Sequence, residues 1–418
     1  MLLAKIGYLR RGGVAPVLSK TPESGEETTP SPSAPRSAKS RRSRTVPTMA
    51  TGVAAAMAFS LAACGSGSDA GSASSTASGK GANVAAAKKA IEPYSGHAAA
   101  FPVTQPLSKP LPPGTKFAFL QCGTAACGLT AKLLKPAVKE IGGSLTTVSA
   151  GTTAQSMQAA VSSVLSLKPA AVVLSGIDPN VFGGGLKKLT KAGIKVVTIS
   201  VARDTAPYGI TFNYIGLQMT QTAGRAMADW VIANKGSKAD IVFYGVPGID
   251  FSSKQQQAFN QELRKNCPGC KVRAVQIDVA TLGTTSARTV VTDLQSHPRT
   301  NVAVFASAEV AHGLPAAMKA AGLSVTTLGY APQSGALQDI KDGGMTAGLA
   351  ADFPISVWTA VDASARLIQG DKPTAAEQAG EVPIQLLEQK DITFDPSRGW
   401  SAYPDYQQRF AKLWHQAG

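Results

Sequence analysis

From Lys116 onward, short runs rich in Val, Ile, Phe and Thr alternate with longer stretches of helical spacing, and few folds accommodate that alternation. Strands are expected at KFAFLQC (116–122), SLTTVSA (144–150), AAVVLSG (170–176) and KVVTISV (195–201). Between them LTAKLLKPAVKEIG, AQSMQAAVSSVLSLK and VFGGGLKKLTKAG place apolar residues three and four apart, as helices do. A second series follows with ADIVFYGV (239–246), KVRAVQID (271–278), NVAVFASA (301–308), SVTTLGYA (324–331) and TAGLAADF (346–353). Near-continuous apolar strands separated by helices belong to parallel sheets covered on both faces. Two such series predict an α/β protein with two doubly wound parallel-sheet lobes. Ligands of such sheets lie beyond the carboxyl ends of the strands, so strand ends are where binding residues are sought.

The first 113 residues lack this pattern. Residues 20–48 are dense in Pro, Ser, Thr and Arg, and residues 65–113 are rich in Ala, Gly, Ser and Pro, too poor in large apolar groups to fold alone. Between the two lies MATGVAAAMAFSLAA (49–63), an uncharged run of 15 residues, short for a membrane span but suited to the core of a signal peptide. It follows the basic KSRRSR (Lys39–Arg44) and ends in Leu61-Ala62-Ala63-Cys64, which looks like a bacterial lipobox. Cys64 is therefore expected to be lipidated, with 1–63 as leader and 64–113 as a flexible tether. The competing reading is an Ala-rich buried helix with an inert cysteine. Ser40-Arg41-Arg42 is a partial twin-arginine pattern, with Arg44 where a hydrophobic residue is usual.

The net charge of +15 suggests nucleic acid only until it is divided. Residues 1–63 carry nine Lys or Arg against three Asp or Glu, and the rest of the excess is dispersed along helices such as LKKLTKAGIK. Without clustering or interleaved aromatics, nucleic-acid binding is not expected. Enzyme signatures are missing: there is no GxxxxGK[ST], no GxSxG and no HExxH, and Gly183–Gly185 lacks dinucleotide spacing. A nucleophilic Cys122 would need His297 or His312 as its base, and no motif supports either. The histidines (His97, His297, His312, His415) are scattered, so neither metal nor cofactor is expected. Cys267 and Cys270 in NCPGCK follow a helix and a Pro-Gly turn, which favours a structural disulfide over half a zinc site.

The chain resembles the type I periplasmic binding proteins, specifically ribose-binding-like solute-binding lipoproteins of ABC importers. The residues that carry the resemblance are FAFLQCG, LSLKPAAVVLSGIDPN, KAGIKVVTISV, YIGLQMTQTAGRAMADWV, NVAVFASAEVAHGLPAAMKAAG and LGYAPQSGALQDIKDGGMTAGLAADFP. It spans about Lys116 to Leu387. The resemblance implies an N-terminal lobe of 116–215 plus about 354–378 and a C-terminal lobe of 216–353 plus about 380–390. Three crossovers would join them, closing on a small solute by hinge motion, with 391–418 packing on the lobes. It further implies an extracytoplasmic, membrane-anchored monomer serving an ABC permease, with no chemistry of its own. The same fold serving a membrane signalling partner is the alternative. A transcription regulator of the same fold is not expected, because the expected signal peptide stands where its helix-turn-helix would be.

Carried over position by position, the sugar-binding pattern is poorly kept. After the first strand, Gly123-Thr124-Ala125-Ala126 stands where sugar binders place aromatic rings; Gln121, Cys122 and Thr124 are the candidates there, and a Cys122–Cys127 disulfide would brace that loop. Asp178 ends the third strand, as either a ligand contact or a helix cap. Ser200 replaces the gripping acid after the fourth strand, with Arg203-Asp204 following as either ligand contacts or a surface pair. In the second lobe the candidates are Asp250, Phe251, Asp278, Glu309, Tyr330, Gln333, Asp352 and Phe353. Ser252 is expected to cap the helix SKQQQAF while Phe251 faces the cleft, and Trp358 is expected in the core. Solute binding fits these positions, and a simple aldose fits them badly.

Overall fold

The computed structural model describes residues 81–96, 100–123, 125–380 and 382–415. The leader, Cys64, the first part of the tether and Thr124 lie outside the described residues. The described chain opens with α1 (Val84–Ile91), which packs on the second lobe; the first lobe then holds β1 (Lys116–Cys122), α2 (Ala125–Glu140), β2 (Ser144–Gly151), α3 (Ala154–Leu167), β3 (Ala171–Ser175), α4 (Gly185–Lys191), β4 (Lys195–Ile199) and β5 (Phe212–Tyr214). Then come α5 (Leu217–Lys235), β6 (Asp240–Gly245), α6 (Asp250–Asn266), β7 (Lys271–Gln276), α7 (Ser286–Ser296), β8 (Val302–Phe305), α8 (Leu314–Ala320), β9 (Thr326–Tyr330), α9 (Ser334–Lys341) and β10 (Ala347–Ala351). The chain ends with α10 (Phe353–Gln369), α11 (Ala375–Ala379), β11 (Ile384–Glu388) and α12 (Tyr406–His415).

The strands form a five-stranded sheet, β2-β1-β3-β4-β5, and a six-stranded one, β11-β10-β9-β8-β6-β7. All pairings are parallel except β10 with β11. The period-two alternation of side chains sends Phe117, Phe119 and Val173 to one face of the first sheet and Ala118, Leu120 and Val172 to the other. In the second sheet Ile241 and Phe243 oppose Val242 and Tyr244 in the same way. Helices cover all four faces, which explains why the central strands read as unbroken apolar runs. The edge strands β2 and β7 carry Thr, Ser, Lys and Arg and are half exposed. Gly224 lets α5 lie tightly on α6: a Cβ there would sit 2.4 Å from the Gln255 carbonyl oxygen.

Strand β5 is an element the sequence did not announce: three residues, Phe212–Tyr214, too short to show a period. Helix α6 begins at Asp250, three residues before SKQQQAF, and Ser252 does not cap it. The Ser252 hydroxyl instead accepts from the Val246 amide (2.8 Å), holding the end of β6.

The expectation of a flexible tether reaching residue 113 is corrected for its described part. Asn83 caps α1 by accepting from the Ala86 amide, and Ala87 is buried against α5. Val103, Leu107 and Leu111 then sink into the core of the first lobe. Regularly spaced apolar residues among the prolines gain enough burial to order the segment. The Arg366 guanidinium secures it by donating to the carbonyls of Gln105 and Pro106 (2.5 and 3.3 Å). At the other end Trp400 packs in the second lobe, whereas Phe410 and Trp414 of α12 pack in the first. Trp358 lies in the core, as expected, stacked on Trp414 with ring centroids 5.1 Å apart. Besides the connections at 215–216, 352 and 380–383, both chain ends therefore pass between the lobes.

Candidate functional site

The carboxyl ends of the strands in both sheets face one cleft. Its floor and sides come from Met157, Ile177, Val181, Ile249, Phe251 and Tyr330, with the hinge residue Ile215 and Phe353 of α10 completing the wall. Phe251 and Tyr330 meet edge to face, with ring centroids 5.6 Å apart. Polar side chains are few and small: Thr152, Ser175, Ser200, Ser307 and Ser356, with Gln333 and Glu309 the larger ones. The Gln333 side-chain amide donates to the Ala331 carbonyl (2.9 Å), which orients its oxygen. Burial alone pushes the Tyr330 hydroxyl up to about 12, so it remains a proton donor at any working pH.

Both local cysteine pairs are bonded, Cys122–Cys127 with Cα atoms 5.6 Å apart and Cys267–Cys270 with Cα atoms 5.4 Å apart. The first bridge joins the end of β1 to the first turn of α2, and both cysteines line the cleft. The second closes the turn after α6. A bonded Cys122 has no thiolate to act as a nucleophile.

The lobes touch across the mouth. Gly176 and Gly248, with φ of 62° and 91°, turn the ends of β3 and β6 so that Ile177 and Ile249 pair as an antiparallel bridge. The Asp250 amide donates to the Gly176 carbonyl (3.1 Å), and the Asp178 amide approaches the Gly248 carbonyl at 3.4 Å. Beside this bridge Arg203 of the first lobe contacts Asp178 of its own lobe (3.1 Å) and Asp250 of the other. Burial works against the Arg203 charge, but Tyr208, Asp250 and Asp178 outweigh it and hold the guanidinium above its ordinary value. The Ala202 amide also donates to Asp250, whose side chain is fully buried. This ion pair therefore fastens the two lobes to each other.

Seven of the strand-end candidates line the cleft: Cys122, Ser200, Phe251, Glu309, Tyr330, Gln333 and Phe353. Seven others do not. Asp178, Arg203 and Asp250 are engaged with one another, and Asp178 also caps a single turn by accepting from the Asn180 amide (2.9 Å). Asp204 and Asp278 cap local turns, accepting from Ala206 and Ala280. Gln121 sits one residue inside the strand, at a register shift against β2, and stays out of the cleft.

Asp352 is fully buried at the start of α10, accepting from the amides of Ile355 and Ala402 and from the Ser401 hydroxyl (3.0, 2.8 and 2.8 Å). Burial pushes it up to about 7 against those donors. It fastens the C-terminal extension to the hinge and does not face a solute. Short polar residues next to strand ends hydrogen-bond locally with ease, and that competes with ligand contact.

Sequence reasoning missed Met157, Ile215, Val279, Ser307 and Ser356. Val279 and Ser307 each follow a strand end by two or three residues, so extending the strand-end search would have found them. Met157 reaches the cleft from the first turn of α3, and Ile215 from the hinge, positions that carry no local signal.

Three of the four described non-glycine residues with positive φ lie in this wall: Ser200 (64°), Ile215 (63°) and Ala331 (49°). Left-handed backbone at non-glycine positions is strained and clusters where a binding surface is shaped. Among the described residues no group of histidine, cysteine and carboxylates could hold a metal ion. Nor is any described helix long and apolar enough to cross a membrane.

A family model described as a periplasmic binding protein domain matches residues 129–372. No curated protein matches the sequence. Among solved structures, the chain is similar to an ABC transporter periplasmic solute-binding protein from Actinobacillus succinogenes with bound D-allose. That likeness has a TM-score of 0.56 at 20% identity, covering 66% of this chain and 98% of the other. It is similar to the Caulobacter myo-inositol binding protein (TM-score 0.58, 18% identity, 66% and 94% covered). A third is a periplasmic ribose ABC transporter protein from Conexibacter woesei (TM-score 0.56, 15% identity, 72% and 98% covered). Two doubly wound lobes around a shared cleft and a family match over more than half its length place this chain among the type I periplasmic binding proteins, with the fold of the sugar-type solute-binding proteins of ABC transporters.

Proposed function

We propose that the protein captures a small solute between its lobes outside the cytoplasm and presents it to an ABC permease, tethered by a lipid on Cys64. The observation that carries capture is the cleft itself: strand ends of two sheets converge on one cavity whose mouth is bridged by Ile177–Ile249 and the Arg203 ion pair. That is the arrangement of a closing receptor. In this reading the protein performs no bond chemistry of its own, which its membership of a solute-binding family supports, and the bonded Cys122 has no thiolate to offer. The protein acts as a monomer, and its permease recognises the closed form.

Anchoring rests on the order of basic region, apolar run, LAAC and Gly/Ser spacer. Expressed in a bacterial host fed labelled palmitate, the full chain should carry the label in the membrane fraction. Cys64→Ala should lose the label and leave an unprocessed or released protein. Equal labelling of both would sink the lipid anchor. Capture is tested by thermal unfolding of the purified protein with candidate solutes, since a ligand specific to the native state raises the midpoint with concentration.

A further inference from the structure

We infer that the end of the second lobe where its parallel strands begin is a docking face for an anionic lipid surface. This rests on the anchored reading above and names the face that the tether turns toward the bilayer. Hydrogen bonds gather that end from distant segments. The Lys271 amide donates to the Ala239 carbonyl (3.0 Å), the Asn301 amide to the Asp240 carbonyl (2.9 Å) and the Asn301 side-chain amide to the Lys238 carbonyl (2.8 Å). The connections that precede β6, β7 and β8 therefore lie side by side and bring together Lys235, Lys238, Lys265, Lys271 and Arg299. Lys235 is half-buried and the other four are exposed. Lys265 pairs with Glu262 at 3.7 Å, and the rest have no ion-pair partner among the described residues. The other acids nearby are recessed or engaged: Asp240 is half-buried, and Asp293 is held by Arg273 (2.7 Å).

The helix dipole by itself favours basic residues at helix ends, which accounts for Lys235 and Lys265 in the last turns of α5 and α6. Lys238, Lys271 and Arg299 stand beyond the last helical turns and have no such reason to be there. Charge alone does not choose between the lobes, because the matching end of the first lobe carries Lys116, Lys139, Lys168 and Lys191. The entry of the chain does choose. Gly81, the first described residue, leads into α1 at the basic corner of the second lobe. There the Asn83 amide donates to the Asn266 carbonyl (2.8 Å), and Val84 lies beside Gly236. Cys64 stands 17 residues before Gly81, so a lipid on it keeps this corner within at most about 60 Å of the bilayer. A polybasic surface held that near is drawn onto anionic headgroups without any apolar anchor on the face itself. The attraction fades within a Debye length of about 8 Å, so contact is limited to the side chains that reach the surface.

Lysine acylation of the purified full chain at low conversion, read residue by residue by mass spectrometry, tests the face. Vesicles of phosphatidylcholine with about a third phosphatidylglycerol should slow acylation of Lys238, Lys265 and Lys271 about threefold or more relative to phosphatidylcholine alone. Lys116, Lys139, Lys168 and Lys191 should react alike with both vesicles, and salt at about 0.5 M should abolish the difference at the second lobe. With Lys238→Gln, Lys265→Gln, Lys271→Gln and Arg299→Gln combined, Lys235 should react alike with both vesicles. Gln at the four first-lobe lysines should leave the parent pattern. Equal protection of both lobes, no protection of a chain that sediments with the anionic vesicles, or no sedimentation would each overturn this face. Equal protection by polyglutamate in free solution would overturn the lipid and assign the face to an acidic protein. Palmitate labelling without protection overturns the face and leaves the anchor standing, whereas protection in a chain that takes up no palmitate keeps the face and overturns the anchor.

Discussion

At the scale of single residues, the cleft wall is built from strained backbone. Ser200 holds φ at 64° because its amide donates to the Tyr214 carbonyl (2.8 Å), turning the chain out of β4 toward Val201. Asn tolerates that conformation, whereas the second γ branch of a β-branched residue crowds the backbone beyond what the serine Cβ already meets, by about 1–2 kcal/mol. Ser200→Val should therefore lower the urea-unfolding free energy by about that much while Ser200→Asn stays within about 0.5 kcal/mol of the parent. Equal stabilities for the two variants would show that the turn is not held left-handed. This scale is also where sequence reading was least reliable. A strand-end acid can cap a turn, pair with an arginine or meet a solute, and nothing local tells these apart. Asp178, Asp250 and Asp352 all took structural partners that are distant in sequence or belong to the next turn. Large strand-end side chains such as Phe251 and Tyr330 have no such local partner and were legible as cleft residues.

Among elements, the strands of both sheets were readable because a doubly covered sheet demands continuous apolar runs, and the helices because their spacing is distinct. The ordering of the segment before β1 was not readable, since its burial depends on a surface made by other segments. That surface is α10, buried along Pro354–Arg366. On it Arg366 serves two carboxylates, Asp362 at 2.6 Å and Glu377 at 3.4 Å, while the Trp414 indole donates to Asp362 at 2.7 Å. One guanidinium between two buried acids leaves the more distant one favouring its proton. Burial, then the Asp362 charge, push Glu377 up to about 8. The folded chain thus holds a proton there that the unfolded chain releases near the ordinary glutamate value. By linkage, the stability this group contributes is present at acid pH and is lost as pH rises through about 8. Glu377→Gln mimics the protonated form and keeps an oxygen to accept from the Thr374 amide. Its unfolding free energy should fall less between pH 5 and 8 than that of the parent, and identical pH slopes would show that Glu377 is ionised in the fold.

For the molecule as a whole, the question is what holds the lobes together when no solute does. The cleft walls meet at the Ile177–Ile249 bridge, and the Arg203 ion pair beside it adds a charged fastening between the lobes. The two halves of the pair are unequal. Asp178 is partly exposed, and an exposed pair contributes little, about 0–1 kcal/mol. Asp250 is fully buried, and removing the partner of a buried charge costs about 3–5 kcal/mol. In Arg203→Met that cost falls on the closed form alone, because opening the cleft returns Asp250 to water. A two-state equilibrium shifted by that amount passes from mostly closed to mostly open. Small-angle scattering should show a larger radius of gyration for Arg203→Met than for the parent without solute, while Asp178→Asn leaves it nearly unchanged. Affinity for any bound solute should drop in Arg203→Met through the smaller closed fraction alone, although Arg203 lines no part of the described cavity. An unchanged radius together with an unchanged affinity would place the closing force in the chain ends that pass between the lobes, and deleting α12 would then be the change that opens the molecule.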